Sequence, residues 1–211
     1  MNRTVLVVIT VALLGVPLRA NLITNGSFET PALGGAGGFD IGSTALTGWT
    51  VINNGLWRIH SGDFGIFAPD GSYSLDLTGY NEAGTAQPPY FGGVEQTIST
   101  IPFAVYTIRF AVGTNTGTSN IQVSAGSLLD LASVTSSGGV QWTTYSSTFT
   151  ALGSSTTIDL IGNVTYGDLI GLDNVVVELD HTTGDGVPEP ASWWLAGAGI
   201  AGLSWRRRRL A

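Results

Sequence analysis

AVYTIRFAV, residues 104–112, alternates apolar and polar side chains with a period of two. In an extended strand this spacing puts Tyr106, Ile108 and Phe110 on one face and Thr107 and Arg109 on the other. The same alternation recurs on both sides. NIQVSAG (120–126) offers Ile121 and Val123, and WTTYSSTFTA (142–151) offers Tyr145 and Phe149 on one side. TTIDLIG (156–162) follows, and then GLDNVVVEL (171–179), with Val175, Val177 and Leu179 in phase. Upstream, YSLDL (73–77) and GVEQTIS (93–99) read the same way. Clusters of Gly, Asn, Asp and Ser break the runs, and no segment between them has the period of an amphipathic helix. Roughly eight to ten short strands of this kind predict an all-β fold, two antiparallel sheets packed as a β-sandwich.

Composition supports the same class. The 43% hydrophobic content is enough for a core, whereas only 11% of residues are charged and 30 are glycine, a turn-rich balance. The chain has no lysine. Arg3 and Arg19 lie near its start and Arg206, Arg207, Arg208 and Arg209 near its end, so Arg58 and Arg109 alone face the 15 acidic residues between Glu29 and Glu189. A body of that charge repels polyanions, which excludes nucleic-acid binding. The absence of cysteine excludes disulfides, thiolate metal ligands and thiol nucleophiles.

Both ends read as addresses. Met1-Asn2-Arg3, the apolar run TVLVVITVALLGV and then PLRA form the three parts of a signal peptide. Signal peptidase is expected to cut between Ala20 and Asn21, so residues 1–20 are leader. At the other end, residues 191–205 carry no charge. As a helix they would span about 22 Å, short for a hydrocarbon layer of about 30 Å unless the arginines snorkel. The Arg cluster favours the cytoplasmic side, leaving the body outside.

Pro188-Glu189-Pro190, a short Gly/Ala/Leu-rich transmembrane segment and Arg206–Arg209 resemble the PEP-CTERM sorting signal of Gram-negative bacteria that make extracellular polysaccharide. The resemblance implies transient anchoring in the inner membrane, cleavage near residues 188–190 by an exosortase, and transfer to the cell surface or extracellular matrix. Residues 181–187, HTTGDGV, read as a polar linker between that signal (188–211) and a domain of residues 21–180.

The domain carries its own resemblance. NLITNGSFETP (21–31), Gly48-Trp49, DGSYSLDLTG (70–79), GGVEQTI (92–98), YTIRF (106–110) and LDNVVV (172–177) occur in the order seen in the choice-of-anchor C group of bacterial surface domains. That group is related to a plant cell-wall family with a galactose-binding-like jelly roll, so the resemblance implies this form of sandwich. It also implies a structural calcium held by the Glu of the N-terminal "FE" and the Asp of the last strand, here Glu29 and Asp173. Calcium takes six to eight oxygens, so backbone carbonyls or water would complete the shell. Alternatively, Glu29 caps a turn and Asp173 is an ordinary strand-edge acid.

Aromatic rings are the other candidates, because flat rings stack on pyranose faces. Trp49, Trp57 and Trp142 are of that kind, although tryptophan in a sandwich serves core packing more often, and Trp49 is expected there. Tyr80, Tyr90 and Phe91, in the Gly/Pro-rich stretch 79–93, are expected at a rim and are the preferred ligand residues. No nucleophile elbow, HExxH zinc motif or P-loop occurs, and the histidines are His60 and His181 alone. Acid pairs such as Asp168 with Asp173 carry little weight among 15 acids, so glycan hydrolysis remains the remote alternative. The sequence thus predicts a non-catalytic exported protein that binds or organises extracellular polysaccharide. The alternative is a structural or adhesive matrix protein with no sugar pocket.

Overall fold

A computed structural model describes residues 19–32, 34–80, 91–165 and 169–182. The strands are β1 (Gly37–Phe39), β2 (Thr50–Ile52), β3 (Gly55–His60), β4 (Tyr73–Tyr80), β5 (Gly93–Ser99) and β6 (Val105–Thr114). They continue with β7 (Gly117–Ala125), β8 (Leu128–Ser136), β9 (Gln141–Thr150), β10 (Ser155–Thr165) and β11 (Gly171–His181). Six form one sheet in the order β1-β3-β4-β11-β6-β9, and five form the other in the order β2-β5-β10-β7-β8. Every pairing is antiparallel. The fold is the expected all-β sandwich of jelly-roll type.

The alternation read from residues 104–112 sets the inner face. Tyr106, Ile108, Phe110 and Val112 are buried, and Phe149 stacks on Tyr106 with ring centroids 5.3 Å apart. Tyr145, directly opposite Phe110, lies 4.9 Å from it ring to ring. Leu75 and Leu77 of β4, Val175 and Val177 of β11, and Ile121, Val123, Ile158 and Leu160 of the other sheet join the same core. Trp49 is 2% exposed, as expected, with its indole N–H donating to the Asn25 carbonyl at 3.0 Å.

The segment after Ala20 ties the sheets together. Leu22 N–H donates to Val177 O, while Gln96 of β5 accepts from Thr24 N–H and donates to Thr24 O. Gly26 is the point of closest approach: a Cβ there would lie 2.0 Å from Val175 O, so no other residue fits without moving the backbone.

A bulge interrupts β11 between Asp173 and Val176, where Asn174 takes φ 51°. Leu172 and Val175 both reach the core as a result, while Asp173 points to the opposite side. The sorting signal, its transmembrane segment 191–205 and most of the signal peptide lie outside the described residues. Among those described, no helix is long and apolar enough to cross a membrane.

Candidate functional site

The outward phase of the six-stranded sheet builds a groove. Leu56 of β3 and Leu75 of β4 point inward, so Trp57, Ile59 and Asp76 point outward. Trp57 stands directly opposite Asp76, and the turn between β6 and β7 brings Asn115 to the same side. The 61–72 connection folds back to add Phe64 and Ile66, enclosing about 390 Å³. That volume suits one or two sugar rings more than a single ion.

Several features hold this wall open. Ile59, Ile66 and Leu169 form a small second core, with Trp142 and Val140 packed on it. Trp142 can lie there because Gly113 and Gly171 leave room: a Cβ on either would come within 2.6 Å and 2.5 Å of the ring. Phe64 sits in a left-handed conformation at φ 55° between Gly62 and Gly65, and its ring is 80% exposed. A bulky aromatic held in this way is costly to local structure, a feature that concentrates at binding sites. Trp57 is 38% exposed. Asp76 is fixed in orientation, its Oδ1 accepting from Thr78 N–H and Oγ–H at 3.0 and 2.9 Å and from Ile170 N–H at 3.2 Å.

Of the expected rim residues, the structure describes the ring of Phe91, which falls elsewhere. Phe91 is half-buried against the main core, and its carbonyl accepts from Asn53 Nδ2 at 2.6 Å. Its ring is committed to packing because β5 begins two residues later and draws the chain inward. Tyr90 and the side chain of Tyr80 lie outside the described residues, as do Asp168, Pro188, Glu189, Pro190 and Arg206–Arg209. Trp57, weighed from the sequence with Trp49 and Trp142 but not preferred, is the ring that lines the groove, and the outward phase of GLWRIH was the signal available for it.

Glu29 and Asp173 do meet, around one turn. Glu29 Oε1 accepts from Ser72 N–H and Tyr73 N–H at 2.8 and 2.9 Å. Asp173 Oδ2 accepts from Asp70 N–H at 2.9 Å, and Oδ1 from Asn174 N–H at 2.7 Å. Gly71 lies under the Glu29 carboxylate, where a Cβ on it would fall 2.5 Å from Glu29 Oε1. Asp173 is fully buried. Burial pushes its carboxyl up to about 7 and the nearby Asp70 and Glu29 charges add to the rise, against the two backbone donors.

An oxygen-ligated cation fits this chemistry in kind, since two carboxylates converge and one is disfavoured as an anion. It does not fit as a purely side-chain site. Among the described residues, no three His, Asp or Glu side chains are grouped to hold an ion. Backbone oxygens would have to supply most of the shell.

Comparison with solved structures finds carbohydrate-binding modules and also chains of enzymes, among them an isomalto-dextranase complexed with panose. TmCBM61, solved with β-1,4-galactotriose, is 16% identical with a TM-score of 0.45, covering 76% of this chain and 99% of that one. The CBM22-1 xylan-binding domain of Xyn10C from Paenibacillus barcinonensis is 17% identical with a TM-score of 0.39, over 68% and 92% of the two chains. A family 35 carbohydrate-binding module from Clostridium thermocellum is 11% identical with a TM-score of 0.40, over 67% and 97%. These are likenesses of fold. Comparison with curated proteins finds no match. Residues 186–209 match the PEP-CTERM protein-sorting motif, which marks an exported protein processed by an exosortase. Residues 21–177 match the model described as Protein of unknown function (DUF642), and the chain belongs to that family.

Proposed function

We propose that the domain binds extracellular polysaccharide, without cleaving it, in the groove on the outer face of the six-stranded sheet. The observation that carries this reading is the pairing of two exposed rings, Trp57 and Phe64, with an oriented carboxylate, Asp76, and the amide residue Asn115 in one open groove. Rings cover the apolar faces of a pyranose, while a fixed carboxylate and an amide bond its hydroxyls. Of the described residues lining the groove, Asp76 is the single carboxylate. Glycoside hydrolysis ordinarily uses two carboxyl groups flanking the bond, which favours binding over turnover. Export and the sorting motif would deliver the domain to the cell surface or matrix, where such polymers lie.

Calcium belongs to the same proposal as a structural ion. Glu29 and Asp173 would hold it, neutralising a buried acid and joining the N-terminal segment to the last strand.

Calorimetric titration of residues 21–186 with soluble fragments of the producing organism's extracellular polysaccharide tests the binding reading. Saturable binding is expected, and Trp57→Ala should weaken it by about 10- to 30-fold, the loss typical of a central aromatic contact. Trp57 contributes to the groove and not to the main core, so the variant should melt like the wild type. No saturation would favour the alternative, a structural or adhesive protein without a sugar pocket.

A further inference from the structure

One end of the sandwich carries an apolar tip unrelated to the groove. The β5–β6 connection presents Ile101 and Phe103, 49% and 62% exposed, and the β9–β10 connection presents Leu152, 69% exposed. Backbone bonds lock the two connections together: Phe103 N–H donates to Ala151 O, Ala151 N–H to Ala104 O, and Thr100 N–H to Ser154 O. Phe103 is held at φ 65°, a left-handed conformation that costs an aromatic residue energy and here turns its ring to solvent. Two rigid turns thus display three large apolar side chains and no charge.

The position of this tip says what it meets. His181, at the end of β11, pairs with Val105, and Val105 pairs with Thr150. The chain therefore leaves the domain at the same end as the tip. Only residues 183–190 separate Thr182 from the uncharged run that begins at Ala191. Eight residues reach at most about 28 Å in any conformation. While that run is in the bilayer, the tip is held within reach of its outer surface. The opposite end, where Trp142 pairs with Gly113, lies eight residues along β6 from Val105, about 27 Å away.

We propose that Ile101, Phe103 and Leu152 form a lipid-contacting tip that seats the domain on the membrane before the sorting signal is cut. The three side chains enter the interfacial region. The contact is apolar and survives salt, because it does not depend on attraction to anionic headgroups. Asp180, beside the exit point, sets the depth, since a carboxylate stays in the aqueous headgroup layer. The groove, at the Gly113 end of the six-stranded sheet, then lies at the end remote from the bilayer. Once the chain is cut near residues 188–190, three side chains alone hold the domain only weakly, and it is free to leave.

The chain has no cysteine, so one introduced cysteine carries one label. Full-length protein bearing a polarity-sensitive fluorophore at Leu152→Cys is reconstituted into phosphatidylcholine vesicles containing acyl-chain nitroxides. Blue-shifted emission and strong quenching are expected, unchanged in high salt. The same label at Ser137→Cys, exposed at the far end, should emit as in water and escape quenching. Adding Ile101→Ser and Phe103→Ser should abolish the quenching at position 152. If the position 152 label is as water-like and unquenched as the position 137 label, the tip does not touch lipid and the proposal is wrong. Contact appearing only when a membrane protein such as the exosortase is added to the vesicles would overturn it equally.

Discussion

Arg58→Ala should destabilise the domain by about 3–5 kcal/mol, the scale on which truncating a large buried side chain acts when it also leaves buried carbonyls without their charged donor. Arg58 is fully buried on β3, in the inward phase where a sandwich strand ordinarily carries an apolar residue. Its guanidinium lies 4.0 Å from the centre of the Tyr73 ring, and Nη1 donates to Phe28 O and Pro31 O at 3.2 and 2.6 Å. Burial pushes its pKa down, while Tyr73 and the Glu29 charge act the other way. Losing the side chain would leave two carbonyls without this donor, Glu29 without its neighbouring cation, and a cavity under residues 28–31. Arg58→Lys should recover little, because an ammonium cannot lie flat on Tyr73 and reach both carbonyls. Among the described residues, Nε and Nη2 are buried without a partner, so the arginine falls short of its full hydrogen-bonding capacity there. A methionine, which fills the space without a charge to desolvate, should therefore cost less than alanine. Denaturant midpoints of the three variants check this ordering.

The second large effect is a pH dependence of opposite sign to that of most acids. The folded-state pKa of Asp173 is about 7 against an ordinary value of 3.8, so the native state holds its proton more tightly than the unfolded chain does. Between those values the native state binds more protons, and stability falls as pH rises. In chelator, the domain should lose about 4 kcal/mol from pH 4 to pH 8 through this group, and level off above that. Asp173→Asn should flatten the profile. At pH 8 in chelator it should be at least as stable as the wild type, since it removes the buried charge and gives up one acceptor at the Asp70 amide. Calcium should reverse the order by raising the wild-type melting temperature and leaving the variant unmoved. Equal melting curves for the wild type in calcium and in chelator at pH 8 would remove the ion from the account.

The strands that carried the fold were readable because their core faces obey one period. Tyr106, Ile108 and Phe110 are buried as spaced, and Tyr145 and Phe149 meet them across the β6–β9 pair. Eleven strands are present among the described residues, and the additional ones each break that rule. β1 and β2 have three residues, too few to show a period. β3 places Arg58 inward, and β8 turns Leu129 and Leu131 to solvent while Ala132 and Val134 fill the core. The meeting of Glu29 with Asp173 came from a resemblance, and the structure adds the 70–73 turn that joins them. The groove was not legible. Trp57, Phe64, Asp76 and Asn115 come from separate segments, and only the β3–β4 register and the fold-back of residues 61–72 bring them together. A local reading favours aromatics in Gly/Pro-rich loops, and it chose Phe91, whose ring the packing takes up.

The central claim is that glycan binds on the outer face of the six-stranded sheet. The most direct test is amide chemical-shift mapping of isotope-labelled residues 21–186, titrated with oligosaccharides cut from the producing organism's extracellular polysaccharide. Saturable shifts are expected at Trp57, Ile59, Asp76, Gly113 and Asn115 and through the 63–66 turn. Saturable shifts confined to the segments around residues 53–54 and 91–93, or no shifts at all, would contradict it.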